Sequence, residues 1–161
     1  MANIKPFKGI RPKAEFIEKI ACKPYDVLNE KEARQECDGN PLSFYHVIKP
    51  EIDFPDGTDI YSPQIYERGN DNFKDLFRKG IFFQDSKECY YIYSQTMNGR
   101  RQYGIVGAAS VADYLNDVIK KHEFTRPEKE KDRIDHMRTI SAQTGNVFMA
   151  CRDVVEVNAL I

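Results

Sequence analysis

Several things this sequence lacks narrow its function before any element is placed. No run of apolar residues approaches the ~18 needed to cross a bilayer, and the opening MANIKPFKGIRPKAEF has no apolar stretch of the kind found at the centre of a secretory leader. The chain is therefore expected to be cytoplasmic, with no membrane partner. Neither sign of charge is in excess, since 24 Lys and Arg stand against 25 Asp and Glu, so no net field draws the chain to DNA, RNA or an anionic surface. Cys22, Cys37, Cys89 and Cys151 are far apart and show neither C-x-x-C nor a paired His spacing. That spacing suggests neither a zinc site nor a disulfide framework and predicts four unlinked thiols, packed or half-buried. The glycine signatures of a phosphate loop, a dinucleotide fold and a nucleophile elbow are all missing; Gly104 and Gly107, as G-I-V-G, read as close-packing positions in a strand. If a nucleotide binds, its main cradle lies elsewhere. The last residues, VVEVNALI, carry no cap or charged tail, and the chain is expected to continue beyond them as part of a longer protein.

What is present suits one compact unit of mixed structure, because 161 residues with 41% hydrophobic content can close one core. The prolines of IKPFKGIRP predict an extended start. AEFIEKIACKPYDV predicts a short helix closed by Pro24. Asn29 and Glu32 have capping-box spacing, so NEKEARQEC predicts a helix. LSFYHVIKP, rich in aromatic and β-branched residues, predicts a strand. Ile65, Phe73, Leu76 and Phe77 recur at helical spacing between Pro63 and Lys79, and Gly80 ends the pattern. GIFFQD predicts a strand, and Asn98-Gly99 between CYYIYSQT and RQYGIVGAAS predicts a hairpin. Ser110 and Asp113 start a helix through SVADYLNDVIKK, and NVFMACRDV predicts a final strand. With no βαβ repeat, the expected class is α+β: a mixed, largely antiparallel sheet with flanking helices and one Asn-Gly hairpin.

The stretch KKHEFTRPEKEKDRIDH, Lys120 to His136, carries the densest chemistry. Thr125 or Arg126 is placed to cap a helix with Pro127 in its first turn and Glu128 three residues after Thr125, leaving His122 and Glu123 beside free backbone N–H groups that attract anions. At 3.6 residues per turn, Arg126, Glu130, Arg133 and Met137 form one stripe, and Ile134, Met137 and Ile140 mark the expected buried face. The two arginines then lean toward the core, while Lys129, Asp132, Asp135 and His136 are expected on the exposed side. The plainer alternative is an i,i+4 ladder such as Arg126–Glu130, worth a few tenths of a kcal/mol per pair. A lone histidine is usually structural, so His122 and His46 carry little weight alone. Tyr90-Tyr91-Ile92-Tyr93 reads as packing and hydrogen bonding rather than as a base-stacking platform.

The phrases PFKGIRP, KPYDVLNEKEAR, GNPLSFYHVIKPEID, CYYIYSQTMNGR and IKKHEFTRPEKEKDR resemble, in order and over nearly the whole chain, the N-terminal part of the bacterial and archaeal family called domain of unknown function 1015. Members of roughly twice this length imply an N-terminal piece, with 1–100 family-specific and 101–161 opening a second part. More distantly, Tyr103 through Val147 is similar to the start of the free-serine kinases of the ParB/sulfiredoxin-like superfamily. That likeness implies Glu123 as the catalytic base for a serine-type hydroxyl, and His122, Arg126 and Arg133 as candidates for substrate carboxylate or phosphate. It further implies a small-molecule substrate, and ADP or ATP with Mg²⁺ in the full-length protein. The Asp-Gly-His-His-Arg phosphate motif of those families is not in this chain, so the nucleotide cradle is expected in the missing C-terminal part, the partner of this piece. A non-catalytic binding or structural module is the alternative. ParB-like nucleic-acid binding is disfavoured, because acids interrupt the bases throughout Lys120–Arg133.

Overall fold

The computed structural model describes residues 2–122, 125–152 and 155. Its architecture is α+β: helices plus three separate two-stranded ribbons, with no larger sheet among the described residues. The residues group into two compact units, each assembled from segments distant in sequence.

The first unit comprises the described residues of Met1–Ile10, Gln84–Phe124 and Val147–Ile161. In it β1 (Ile4–Lys5) pairs antiparallel with β6 (Ala108–Ala109), Ile4 opposite Ala109. β4 (Tyr91–Met97) and β5 (Arg100–Val106) form a hairpin in register from Tyr91 opposite Val106 to Met97 opposite Arg100. Asn98 and Gly99 turn it with φ of 51° and 76°, the left-handed pair that matches strand twist in a two-residue turn. The tyrosines at its base are hydrogen-bonding residues: Tyr90 Oη donates to the Ile4 carbonyl at 2.9 Å, and Tyr91 Oη to Asp85 Oδ2 at 2.6 Å. Gly107 is a close approach, since a Cβ there would lie 2.5 Å from Ile4 Cγ2, whereas Gly104 has nothing near it.

Two expectations for this unit are corrected. α5 spans only Val111–Leu115: the Ser110 side chain caps Asp113 N as expected, but Asp117 at φ 60° is left-handed and the helix stops well before Lys121. The final strand is absent from its described residues 146–152, where Val147 and Phe148 are 77% and 93% exposed. A strand needs a partner backbone, and β-forming composition cannot supply one.

The second unit comprises Arg11–Phe83 and Thr125–Asn146. β2 (Ile10–Pro12) pairs with β3 (Phe82–Gln84), and a 3₁₀ turn leads into α1 (Ile17–Ile20). α2 (Glu30–Glu36) opens with the full capping box, Asn29 Oδ1 accepting from Glu32 N and Glu32 Oε2 from Asn29 N, both at 2.9 Å. α4 (Pro63–Arg78) buries Ile65, Tyr66, Gly69, Phe73 and Leu76 along one side and ends before Gly80. One core joins Ile20, Val47, Phe73, Leu76, Ile81, Phe82 and Ile140; a second gathers Ala33, Cys37, Tyr45, Ile48 and Ile52, with Tyr25 against it.

LSFYHVIKP is not a strand but a helical turn, α3 (Tyr45–Ile48), followed by a 3₁₀ turn over Pro50–Asp53. Ser43 Oγ accepts from Tyr45 N at 3.3 Å, and Pro50 forces Lys49 out of the helical region, to ψ 57°. The turn buries Val47 in one core and Tyr45 with Ile48 in the other, which a two-faced strand with a solvent side would not do. Packing has overridden β-propensity.

α6 (Pro127–Ile140) begins where expected, with Arg126 at its N-cap, but Thr125 does not cap it: its hydroxyl donates to Glu130 Oε2 at 2.7 Å. Of the expected inward face Ile140 is buried, at 4% exposed, but Ile134 and Met137 are only half-buried, and His136, expected on the outer side, is 1% exposed. Of the four free thiols, Cys37 is buried and Cys22 half-buried, but Cys89 and Cys151 are exposed. No helix among the described residues is long and apolar enough to cross a membrane.

Candidate functional site

The inward face of α6 carries polar groups, and each is held by residues from elsewhere in the second unit. Arg133 donates from Nε and Nη2 to Asp132 Oδ2 at 3.0 and 2.7 Å, and its guanidinium lies 4.1 Å from the centre of the Tyr25 ring. The second oxygen of Asp132 accepts from the Tyr66 hydroxyl of α4 at 3.0 Å. One turn on, His136 Nε2 lies 2.9 Å from the Val47 carbonyl; a carbonyl only accepts, so the proton is on Nε2 and the lone pair on Nδ1, which is buried and unpartnered. Burial holds this imidazole below its usual pKa, and nearby Arg133 reinforces that against the Val47 bond and the charges of Asp132 and Glu51. Burial, then the bond to Asp132, pushes the Tyr66 phenol up, so it remains a donor.

Beside this row the turn after α3 presents further charges. Lys49 and Glu51 pair at 3.0 Å, each side chain 13% exposed. His46 Nδ1 lies 2.6 Å from Asp53 Oδ1, while Arg68 Nε and Asn72 Nδ2 both donate to Asp53 Oδ2 at 2.8 Å. Burial pushes the Asp53 carboxyl up, but the bonds from His46, Asn72 and Arg68 outweigh it and bring the group to about 2. Arg34 braces the turn by donating to the carbonyls of Glu51, Ile52 and Phe54. His46 is held by Asp53 through Nδ1, and its Nε2 is buried with no partner among the described residues.

The residues singled out in the sequence fall unevenly on this geometry. Glu123 lies outside the described residues. His122, in the first unit, is exposed and makes no hydrogen bond to a described residue. Arg126 is not turned to the core: its side chain is 75% exposed, and its ion pair among the described residues is with Glu128 at 3.9 Å. The Arg126–Glu130 ladder is not formed; the i,i+4 pair of this helix is Lys131–Asp135 at 2.5 Å. Arg133 alone is embedded, 26% exposed. Asp132 and His136, expected on the outer side, belong to the site with it. Tyr25, Tyr66 and Glu51 carried no local signal, because each comes from a segment distant in sequence: the turn before α2, α4, and the 3₁₀ turn after α3.

An apolar groove of about 490 Å³ lined by Asn70, Phe73, Lys74, Phe77, Arg78 and Ile140 lies on the same unit and includes none of the polar row. Among the described residues, no group of three or more His, Cys, Asp or Glu could hold a metal ion.

These features define an α+β chain whose helical unit displays a fixed, half-buried arginine. The chain belongs to the family described as Protein of unknown function (DUF1015), whose model matches residues 4–161. No curated protein and no solved structure matches it.

Proposed function

We propose that the protein carrying this chain is a nucleotide-dependent small-molecule kinase that phosphorylates a hydroxyl such as that of free serine. In this reading Glu123 is the base that takes the hydroxyl proton, and Arg133 holds an anionic group of the substrate. The observation that carries it is the state of Arg133: a guanidinium fixed by a carboxylate and an aromatic ring, on the helix that follows the Lys-His-Glu turn resembling that of the serine kinases. Phosphoryl transfer asks a protein mainly for positioning and charge stabilisation, and a placed carboxylate base typically adds about 10²–10⁴-fold. His122 and Arg126, exposed in the described chain, remain candidates for contacts with phosphate. The described residues form no Mg²⁺ cluster and the sequence no glycine-rich phosphate loop, so ADP or ATP with Mg²⁺ is assigned to no residue here.

The test is to incubate the protein with Mg²⁺, ADP or ATP, and small hydroxylated metabolites, L-serine first, and to follow phosphorus NMR. A phosphomonoester resonance that disappears in Glu123→Gln, with the circular dichroism spectrum unchanged, is expected. An active Glu123→Gln protein, or no phosphoester from any acceptor, would overturn the reading.

A further inference from the structure

Arg133 is constrained on two sides and open on a third. Asp132 Oδ2 takes the edge formed by Nε and Nη2, and the Tyr66 hydroxyl fixes Asp132 through its other oxygen. Tyr25 covers one face at 4.1 Å. Nη1 makes no hydrogen bond to a described residue and is not among the buried unpartnered atoms, so its N–H groups reach solvent. A planar donor locked along one edge and one face presents its remaining N–H groups in a set direction, which lowers the ordering cost of binding an acceptor.

The charge around it selects among anions. Arg133 is balanced by Asp132, Lys49 by Glu51 and Asp135 by Lys131; His136, one turn on from Asp132 and Arg133, meets the Val47 carbonyl two residues before Lys49, so these pairs are neighbours. The six charges sum to zero. A phosphate dianion would bring two negative charges to a neutral, half-buried surface, whereas a carboxylate brings one and an amino-acid zwitterion brings no net charge.

We infer that Arg133 Nη1 binds the carboxylate of a small amino or hydroxy acid, with Asp132, Tyr66 and Tyr25 as the residues that position it. The inference rests on the kinase reading for the small-acid class of the acceptor, and on the second unit alone for the geometry.

The chain is titrated with L-serine, ethanolamine and inorganic phosphate while the Arg133 Nε–H resonance, assigned by its loss in Arg133→Lys, is followed by ¹H–¹⁵N NMR. L-serine shifts the resonance; ethanolamine, which keeps the hydroxyl and ammonium but has no carboxylate, leaves it in place; phosphate binds more weakly than serine. Tyr66→Phe moves the Arg133 resonance and weakens serine about tenfold, the loss of a hydrogen bond to a charged group, with the backbone spectrum retained. Tighter binding of phosphate than of serine, an equal shift with ethanolamine, no shift with serine, or serine affinity unchanged in Tyr66→Phe would each overturn the inference. Arg133→Lys serves only to assign the resonance, and the three titrations are compared within the wild-type chain. Failure here is separable from failure of the kinase reading: serine binding at Arg133 without phosphoester formation removes only the latter. Turnover with an unchanged KM for serine in Arg133→Ala removes only the former.

Discussion

In the hairpin of the first unit, Ile92 and Ile105 stand directly opposite each other and remain 56% and 41% exposed, while on the inner face of α6 an imidazole is 1% exposed. Apolar groups face water in one region and polar groups are buried in the other, the reverse of what composition leads one to expect. The hairpin is built by its turn: Asn98-Gly99 sets the register, and register needs no core. The α6 face is built by its neighbours, because α3 and α4 supply the acceptor and donor that make His136 and Asp132 tolerable inside. Local chemistry is enough for the first kind of element, and only assembly makes the second.

The sharpest test of this contrast is a truncation in each region. Phe73→Ala, in the helical core, is expected to cost about 3–5 kcal/mol in chemical denaturation, by lost burial and the cavity left behind. An equal loss from Ile92→Ala would mean that the hairpin face is covered, and would end the comparison.

Acid separates the regions next, since the polar interior lies in the second unit. Asp53 is held at about 2 in the fold against an ordinary 3.8, so its contribution is complete above 3.8 and is lost as pH falls from there through 2. The loss is expected to be about 2 kcal/mol, read as a fall in unfolding free energy that Asp53→Asn removes. His136 acts at higher pH. Its folded pKa lies below 6.5, so the unfolded chain binds the proton first, and stability that is full above 6.5 declines as pH drops beneath it. Arg133 opposes protonation of that ring while Asp132 and Glu51 favour it, so Arg133→Met should raise the folded pKa of His136 toward 6.5 in ¹H NMR titration and shrink this loss.

Smaller effects complete the series. Asn29→Ala removes one side of the capping box of α2 and is expected to cost about 1 kcal/mol in thermal unfolding. Ile92→Ala, on the open hairpin face, is expected to change stability by no more than about 0.5 kcal/mol.

The elements readable in advance were those announced by local chemistry. The capping box at Asn29, the apolar spacing and glycine stop of α4, and the proline start of α6 each reflect an interaction between residues a few positions apart. LSFYHVIKP misled because its aromatic and β-branched residues fit a strand or a buried turn equally well, and Pro50 with the packing of α4 chose the turn. α6 misled in another way. Ile134, Met137 and Ile140 share one side, yet of these only Ile140 is buried; Arg133 and His136 turn inward with it because partners wait there. Of the site, Arg133 was visible as a charge on a patterned helix, while Tyr25, Tyr66, Asp132 and Glu51 were not.

By itself the sequence determined the family, the α+β class, and the turns and caps where neighbouring side chains meet their own backbone. Tertiary structure alone decided which arginine of α6 is held and which is left to solvent. The physical reason is that a guanidinium or an imidazole can leave water only where another segment brings a fitting acceptor, and the spacing of residues along a chain does not contain the position of a partner that folding delivers from far away.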